Sequence, residues 1–555
     1  MFFSTSLVCY VHNFHRTISC NLSSVAYNNS LARLKLSVFS TKMYKCSQYQ
    51  NLVMYLKFNS KTLLLKSVSD NSLKFLSQEV PIPKKFDELP GPKCYPIVGT
   101  LHKYLPIIGD YDAEALDKNA WLNYRKYGDL VREFPGVRLL HVYDPDDIEN
   151  VFRQDDRYPA RRSHVAMRDY RLKKTDVYNT GGLLSMNGPE WWKLRSTFQK
   201  NFTSPKSVKV HVESTDGVVK ELVHCIKKTF TPGNDFLPYL NRLNLEVIGL
   251  IAFNERFNSF SEEEQEPQSR SSRTIAAAFG SNSGIMKLDK GFLWKYFKTP
   301  LYRQLENSQE YLEKVALDIL LNRVSFYESE STSDNSLLCS FLQQTNVDFK
   351  DIVGMMVDIL MAAIDTTSYA TSFVLYHLAR NVEAQDKLFQ EIVTLLPTKD
   401  CGITPDIISK AVYLRSCVKE SLRLNPVAIG VGRLLQKDII LKGFLIPAGT
   451  VIVTQNMVSS RLPQYVKEPL TFKPERWIRG SSDYENIHPF LSLPFGFGPR
   501  SCIARRLAEQ NMCITLMRLL REFELKWTGG NLGIRTFLIN KPDKPVSLTF
   551  LSRQL

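Results

Sequence analysis

The stretch of this sequence best suited to chemistry ends in one cysteine, Cys502. It follows the loop Phe-Gly-Phe-Gly-Pro-Arg-Ser, in which Gly496 and Gly498 allow backbone angles and close approaches that a Cβ would prevent. A helix predicted to begin near Ile503 directs its unpaired N–H groups and positive dipole end toward the cysteine, and Arg500 adds positive charge. Such surroundings lower the pKa of a thiol, and a thiolate is both a nucleophile and a metal ligand. The sequence predicts a thiolate here, and zinc is disfavoured because no companion ligands lie nearby.

A second chemical pair, Asp365 and Thr366, lies in the longest helical pattern of the chain, from Asp351 to Asn381. The centre of this pattern is apolar nearly all round, which predicts a buried helix. A membrane-spanning helix would place Asp358 and Asp365 near the bilayer centre at about 3 kcal/mol each, so a core helix is favoured. Two alanines just before the acid–alcohol pair leave room for a small molecule that receives protons. The alternative is that both side chains only cap or kink the helix.

Two other pairs occur at helical spacing. Trp191 and Arg195 lie four residues apart on a predicted amphipathic helix. Taken alone, this is an ordinary surface pair in which the arginine side chain stacks on the tryptophan ring. Glu420 and Arg423 lie three apart on a helix stopped by Pro426. That pair contributes little if exposed, and it mainly fixes geometry if buried.

Composition restricts the class of protein. A chain of 555 residues exceeds the usual size of a single core, which predicts one large domain with an appendage or two domains. The formal charge of +15 predicts an acidic partner or an anionic surface. Nucleic acid is not the expected partner, because no zinc-finger spacing, RNP-like strand or Arg-rich tail accompanies the charge. The ten cysteines form no Cys-x-x-Cys pair, which favours a reducing compartment.

The first eighty residues differ from the rest. No Asp or Glu precedes Asp70, whereas Lys and Arg are spread through a Ser-rich background. That composition is typical of a mitochondrial transit peptide, so residues 1–80 are expected to be a transit peptide and a disordered N-terminal region. A secretory signal or an anchor fits less well, because the apolar start has no basic segment before it and no run of about 18 apolar residues follows. The proline-rich stretch 81–99 predicts a stiff, extended linker into the domain 81–555.

The rest of the pattern is mainly helical with short strands. Runs at Asp129 to Glu133 and Arg138 to Val142 predict a small antiparallel pair, and Gly432 to Thr454 alternates like strands joined by a turn. The Glu- and Ser-rich stretch from Ser261 to Arg273 predicts a solvent-exposed loop. Phe472 to Pro494 predicts a long irregular segment, and such segments inside a domain are usually functional.

Together these residues resemble the cytochrome P450 family over roughly Pro81 to Leu555. The family's cysteine loop, acid–alcohol helix motif, Glu-x-x-Arg pair with a distant arginine, and Trp-x-x-x-Arg pair are all matched, in the family's order. The matching residues are Phe495, Gly498, Arg500 and Cys502; Ala362, Asp365, Thr366 and Thr367; Glu420, Arg423 and Arg476; and Trp191 and Arg195. The sequence departs from the family at Ala504 and Ala363, where the family has glycine.

The resemblance implies a mainly α-helical fold with small β-sheets and a long central helix across a buried haem b. It implies Cys502 as the axial thiolate ligand of the iron, and Asp365 with Thr366 as the proton-delivering catalytic pair. The residues implied in haem binding are Trp191, Arg195, Arg433, Arg500, Phe495 and Gly498. The three arginines among them are implied to bind the haem propionates. Those implied as a structural network are Glu420, Arg423 and Arg476. Because both departures keep a small side chain, haem packing and the oxygen groove are expected to be retained.

The transit-like start, in place of an apolar anchor, resembles the mitochondrial class of the family. That class takes electrons from an acidic, adrenodoxin-like [2Fe–2S] ferredoxin with its NADPH reductase. It is peripheral to the inner mitochondrial membrane on the matrix side. The basic residues that the resemblance places in ferredoxin docking are Arg415, Lys419, Arg505 and Arg506. The alternative is that these cations only belong to solvated helix faces.

Three segments are similar to arthropod mitochondrial cytochromes P450 of ecdysteroid synthesis, and most of all to those that hydroxylate the steroid side chain at C22. These segments are Tyr158 to His164, Asn179 to Leu184 and Ser501 to Met512. Positions expected to face a steroid are the loop from Ser163 to Leu184, Asp358, Ala362, and the apolar run from Val427 to Val431 with Ile429.

Other functions are compatible with the family resemblance. The nearest alternative is a mitochondrial member acting on another sterol position or on a xenobiotic. An O2-independent isomerase or synthase is disfavoured by the Asp365–Thr366 pair. A haem sensor without turnover is disfavoured by the basic docking residues.

Overall fold

The computed structural model describes residues 82–105, 107–291, 293–327, 334–345 and 347–554, together with the backbone of three strands between residues 43 and 65. Contacts divide the chain into an N-terminal unit, 1–82, and a second unit, 83–555. In the N-terminal unit β1 (Met43–Lys45), β2 (Leu52–Phe58) and β3 (Lys61–Leu65) form an antiparallel sheet in that order. The predicted transit peptide and disordered region, 1–80, otherwise lies outside the described residues, as does Pro81.

The described part of the second unit is mainly helical, which confirms the predicted fold class. Its helices are α1 (Leu116–Tyr127), α2 (Pro145–Arg153), α3 (Val165–Lys173), α4 (Gly188–Thr203), α5 (Pro205–Lys209), α6 (Val212–Thr229), α7 (Leu237–Phe253), α8 (Glu262–Gln265), α9 (Arg270–Lys290), α10 (Pro300–Tyr327), α11 (Leu337–Leu342), α12 (Phe349–Arg380), α13 (Val382–Leu395), α14 (Pro405–Lys410), α15 (Val412–Leu424), α16 (Asn456–Ser459) and α17 (Arg505–Glu522).

The strands of this unit are short and form four small sheets. They are β4 (Leu130–Glu133), β5 (Leu139–Val142), β6 (Gly432–Leu434), β7 (Ile439–Leu441), β8 (Phe444–Ile446), β9 (Val451–Thr454), β10 (Phe523–Trp527), β11 (Ile534–Phe537), β12 (Ile539–Pro542) and β13 (Leu548–Ser552). The largest sheet has the order β4-β5-β9-β6, and the others pair β7 with β8, β10 with β13 and β11 with β12. The predicted antiparallel pair, β4 and β5, is confirmed. Strand β9 lies parallel to β5, with Val451 opposite Leu139.

The described part of the proline-rich segment is extended apart from a 3-10 turn at Phe86–Glu88 and a turn at residues 96–98. The backbone N–H of Lys84 donates to the carbonyl of Gly443 over 2.9 Å. Phe86 and Leu89 are buried in the same apolar cluster as residues of β4, β5, β7, β8 and β9. This segment therefore packs as part of the folded unit, because its apolar side chains complete a core, and its mostly extended backbone agrees with the predicted conformation.

The predicted loop from Ser261 to Arg273 is partly wrong. Ser261 and Ser269 accept hydrogen bonds from backbone N–H groups and cap α8 and α9. Polar residues typical of loops serve here as helix caps, because serine oxygens satisfy the free N–H groups of a first turn. Helix α9 therefore begins at Arg270, inside the stretch predicted to be a loop.

Helix α12 is the longest described helix and runs through the largest apolar core. Asp348 caps it by accepting a hydrogen bond from the Lys350 N–H over 2.8 Å. Its observed bounds are within two residues of the predicted ones. Among the described residues it alone is long and apolar enough to cross a membrane, but 78% of its apolar window is buried in the protein. The prediction of a core helix agrees with that burial.

A buried ion pair fixes α12 to the segment that precedes α4. Arg171 donates to Asp358 over 2.7 Å, and the exposed fractions of the two side chains are 0% and 4%. The N–H of Leu183 donates to the second oxygen of Asp358 over 2.9 Å. The guanidinium of Arg171 also donates to Gln309 on α10. Three separate parts of the chain are thereby held at one point on α12.

We predict that Arg171→Met lowers the free energy of unfolding by about 3–5 kcal/mol, because it leaves a buried carboxylate without its partner. Urea unfolding of the variant measures this loss. Adding Asp358→Leu to it should restore part of the stability, since no buried charge then remains.

The matched control is Lys410→Met, which removes the exposed ion pair with Asp406 on α14. It should change the stability by less than about 1 kcal/mol. Equal losses for Lys410→Met and Arg171→Met would contradict this assignment.

Candidate functional site

The cysteine loop is shaped by two glycines with left-handed backbone angles, Gly496 at φ +73° and Gly498 at φ +69°. The N–H of Cys502 donates to the carbonyl of Phe495 over 2.8 Å, which closes the loop. Helix α17 begins at Arg505, two residues later than predicted. The loop therefore presents the Cys502 side chain, which is accessible, at the start of a helix.

Protein atoms nevertheless surround the Cys502 thiol closely. Burial is the largest influence on its pKa and raises it, whereas the N–H of Ala504 and the charges of Arg195 and Arg505 lower it. The net shift is upward, so the prediction that the helix and Arg500 lower the pKa of this thiol is wrong for the protein alone. A coordinated metal ion deprotonates a thiol outright, so ligation supplies what the surroundings do not.

Arg500 does not contact the thiol but belongs to a cluster of arginines. It donates to the carbonyls of Pro159 and Met186 over 2.8 and 2.5 Å, and to the side chain of Asn187 over 2.6 Å. Its guanidinium lies 3.8 Å from the centroid of the Trp191 ring, which is a cation–π contact.

Arg433 and Arg195 belong to the same cluster. Arg433, on β6, pairs with Asp155 over 2.8 Å and donates to the carbonyl of Phe497 over 2.9 Å. Arg195 lies one turn after Trp191 on α4 and donates to Gln199 over 3.3 Å. Both arginines are buried.

The fourth member, Arg161, was not among the predicted site residues. It donates to the carbonyl of Leu184 over 2.7 Å. Burial and the charges of Arg433 and Arg195 lower its pKa to about 10. The signal in the sequence was the basic pair within Tyr158 to His164, but nothing in the spacing distinguishes Arg161 from its neighbour Arg162.

The arginine cluster, defined as Arg161, Arg195, Arg433 and Arg500, carries more positive charge than its surroundings neutralise. Burial and then the other three arginines lower the pKa of Arg500 to about 8. The Nη1 of Arg500 and the Nε of Arg161 are buried without a hydrogen-bond partner, and in the described part of the chain Asp155 is the one carboxylate paired with the cluster. Unsatisfied buried donors of like charge fit an anionic ligand, and the two propionates of haem b supply two carboxylates.

One side of α12 is open where the rest of the helix is buried. Ala362, Ala363, Thr366 and Thr367 are half-buried and recur at the spacing of one helical face. The hydroxyl of Thr366 donates to the carbonyl of Ala362 over 2.6 Å. Its oxygen keeps lone pairs that can accept a hydrogen bond from a molecule against this face.

Asp365 lies beside that open face but is itself buried. Burial raises the pKa of Asp365 to about 6, against the lowering influence of Asn282, Lys541 and Tyr369. A carboxyl group with this pKa changes protonation state close to neutral pH, which suits a group that passes protons on.

The predicted substrate-facing residues differ in where the structure places them. Ala362, Val427 and Ile429 are half-buried, and the last two lie in the irregular segment between α15 and β6. Asp358 does not face a cavity, so that prediction is wrong: its two oxygens bind Arg171 and the N–H of Leu183. The segment from Ser163 to Leu184, predicted as a loop, contains α3.

Glu420, Arg423 and Arg476 lie together in a buried network. Arg423 donates two hydrogen bonds to Glu420 over 2.9 and 2.7 Å. Arg476 donates a further one to Glu420 over 2.9 Å. Trp477 adds a third donor over 2.9 Å. Burial raises the pKa of Glu420, but these donors outweigh it, so the pKa lies below its usual range.

The predicted docking residues are exposed on two helices. Arg415 and Lys419 lie one turn apart on α15, and Arg505 and Arg506 open α17. Arg415 donates to the carbonyls of Ile408 and Ser409, and Arg505 pairs with Glu509 over 3.1 Å. The charge of Arg415 acts on Cys513 of α17, so the two basic pairs lie on neighbouring helices.

Comparison with known proteins decides the family. The sequence profile described as Cytochrome P450 matches residues 89–550. The chain belongs to the cytochrome P450 family. It is similar to "Cytochrome P450 302a1, mitochondrial" of Drosophila melanogaster, with 44% identity over 485 residues that cover 86% of this chain and 98% of that protein.

Two more distant relatives are also named as mitochondrial. "Probable cytochrome P450 12a5, mitochondrial" of Drosophila melanogaster is 30% identical over 76% of this cytochrome P450 and 83% of the relative. "Cytochrome P450 12b1, mitochondrial" of Drosophila acanthoptera is 28% identical over 80% and 85%.

Membership confirms the predicted cofactor, because cytochromes P450 bind haem b through a cysteine thiolate. Held by Cys502, the haem would supply the O2 activation that a monooxygenase needs to hydroxylate its substrate. In this cytochrome P450 the residues present fit the group: Cys502 is accessible as a ligand, and the four arginines of the cluster have one paired carboxylate, Asp155, among the described residues. Ala504 and Ala363, which replace the family's glycines, are both half-buried, so neither position is filled by surrounding protein atoms.

We predict that Arg161→Leu increases the rate of haem loss at least about tenfold, because a hydrogen bond to a charged group contributes about 1.5–3 kcal/mol. Haem transfer to an apoprotein acceptor, followed by absorbance, measures this rate. The control is Arg162→Leu, which removes an exposed arginine one residue away and should leave the rate unchanged. Equal rates in the two variants would exclude Arg161 from the haem site.

Proposed function

We propose that this cytochrome P450 is a mitochondrial monooxygenase that receives electrons from an acidic [2Fe–2S] ferredoxin and hydroxylates an ecdysteroid precursor at side-chain C22. The observation that carries the electron-transfer part is the pair of exposed basic segments on α15 and α17. Helix α17 begins three residues after the predicted iron ligand. A partner bound there would lie on the cysteine side of the haem.

Charge complementarity supports an acidic partner at this surface. Lys419, Arg505 and Arg506 are exposed, and the whole chain carries a formal charge of +15. Opposite charges across an interface accelerate association and select the correct partner. The ferredoxin and its NADPH reductase supply the electrons that the oxygen chemistry consumes. The mitochondrial names of the relatives support the same location for this chain.

The substrate assignment is supported by an apolar surface of the right kind. The side chains of Ala362, Val427 and Ile429 are apolar and half-buried. Pockets for small molecules are lined mainly by such side chains. The C22 position is supported by the similarity of Tyr158 to His164, Asn179 to Leu184 and Ser501 to Met512 to enzymes of that reaction.

During the reaction the protein holds the cofactor, admits the steroid and delivers protons. The arginine cluster neutralises the propionates. Asp365 helps to relay protons from solvent, and the hydroxyl of Thr366 receives them at the open face of α12. Because the Thr366 hydroxyl currently donates to Ala362, it must rotate to donate toward the substrate side.

Two exposed apolar segments support a peripheral position on the inner membrane, on its matrix side. The first contains Ile97, Val98, Leu105, Ile107 and Ile108, and the second contains Leu293, Tyr296 and Phe297. Lys290 lies 4.6 Å from the centroid of the Tyr104 ring, which brings the two segments together. Apolar side chains beside basic ones are typical of surfaces that bind at a membrane interface.

The haem-loaded protein with a mitochondrial-type ferredoxin, its reductase, NADPH and O2 should hydroxylate ecdysteroid precursors. Product analysis against a panel of sterols identifies the substrate and the position. In Thr366→Ala, oxygen consumption should continue while product per O2 falls several-fold, because the hydroxyl that delivers protons to the open face is removed.

Two results would contradict this proposal. Turnover that continues without reductant or O2 would remove the monooxygenase assignment. Products from other sterols or xenobiotics, with ecdysteroid precursors unchanged, would remove the substrate assignment and leave the reaction class in place.

A further inference from the structure

Asn282, on α9, reaches α12 at the turn that carries Asp365. Its amide nitrogen donates to the carbonyl of Met361 over 3.0 Å and to Oδ2 of Asp365 over 3.2 Å. A carbonyl can only accept, so the amide must turn its nitrogen toward Met361. The same nitrogen then carries its second hydrogen to the carboxyl of Asp365.

This contact occupies the Oδ2 atom of Asp365. The Oδ1 atom is buried and has no hydrogen-bond partner among the described residues. A carboxyl group that is held through one oxygen keeps a fixed orientation while the second oxygen can bind and release a proton. That arrangement suits a group that takes up a proton and passes it on.

We propose that Asn282 is a positioning residue that holds Asp365 through Oδ2 and so presents Oδ1 for proton transfer. The proposal rests on the proposed function, in which Asp365 carries protons. It adds a residue from a different helix that sets how the acid is oriented.

A chain of buried contacts fixes Asn282 itself. Its neighbour Ser281 accepts a hydrogen bond from Gln309 of α10 over 3.0 Å. Gln309 in turn accepts from Arg171, which pairs with Asp358 two turns before Asp365 on α12. Helices α9 and α10 are thus connected to α12 at two levels, and a shift of α9 would move the amide that holds the acid.

The other groups that act on Asp365 are few. The charge of Lys541 on β12 and the hydrogen-bonding hydroxyl of Tyr369, one turn further along α12, lower its pKa less than Asn282 does. Burial opposes all three and raises the pKa to about 6. Because the amide stabilises the charged carboxylate, removing it must raise the pKa of Asp365 further.

The test is an infrared titration of the haem-loaded protein in its oxidised state without substrate. The carboxylic C=O band of Asp365 is identified as the band that Asp365→Asn removes. In Asn282→Leu we expect the midpoint of this band to move up by about one pH unit, since a charged hydrogen bond is lost. The pH profile of product formed per O2 should move in the same direction.

The matched control is Asn244→Leu. Asn244 on α7 is buried to the same 5% exposure as Asn282 and likewise donates to α12, at the hydroxyl of Ser368 over 3.0 Å. This variant loosens the same helix one turn away without touching Asp365. Neither the infrared midpoint of Asp365 nor the pH profile of product formed per O2 should therefore move. If Asn282→Leu does not retain haem, Asn282→Ala replaces it, because it removes the same amide with less bulk.

An unshifted infrared midpoint in the Asn282 variant overturns the proposal, as does an equal shift in Asn244→Leu. A shifted band with an unshifted pH profile of coupling also overturns it, because Asp365 orientation would then not matter for proton transfer. Unchanged coupling in Asp365→Asn is a separate failure: it removes the proton-carrying role assigned in the proposed function, whatever Asn282 does.

Discussion

The structure depends on one electrostatic constraint: four arginines converge, three of them buried, and among the described residues Asp155 is the one carboxylate paired with them. Burial and mutual repulsion lower the pKa of Arg500 to about 8 and that of Arg161 to about 10. Two of their nitrogens have no partner, and each unsatisfied buried donor costs about 1–3 kcal/mol. We propose that the two propionates of haem b bind these arginines and remove both penalties, so that the cofactor would also neutralise the protein around it.

The remaining buried polar contacts keep that region in shape. The Glu420 network fixes α15 to the irregular segment around Arg476, close in sequence to the cysteine loop. The Arg171–Asp358 pair fixes α12 to the segment before α4, which carries Trp191 and Arg195. Such buried pairs contribute more to geometry than to net stability, because desolvation offsets most of their attraction. They set where the thiol, the arginines and the open face of α12 lie.

Local chemistry was predictable from the sequence, and long-range placement was not. The bounds of α12 and the Glu420–Arg423 pair follow from helical periodicity, because residues three or four apart share a face. The parallel pairing of β9 with β5 joins residues more than 300 positions apart, for which no local signal exists. Asp358 was assigned to a cavity because its partner, Arg171, lies 187 residues away. Arg161 was missed for the same reason: only the fold separates it from Arg162.

The measurement that tests the central claim most directly is the difference spectrum of the reduced, CO-bound protein in Cys502→Ser. Ligation by Cys502 predicts a thiolate-type Soret band in the natural protein and its loss in the variant. The arginine cluster should still retain haem in the variant, so the band should shift and haem content should not collapse. An unchanged thiolate-type band in Cys502→Ser would contradict the account, because another residue would then be the ligand.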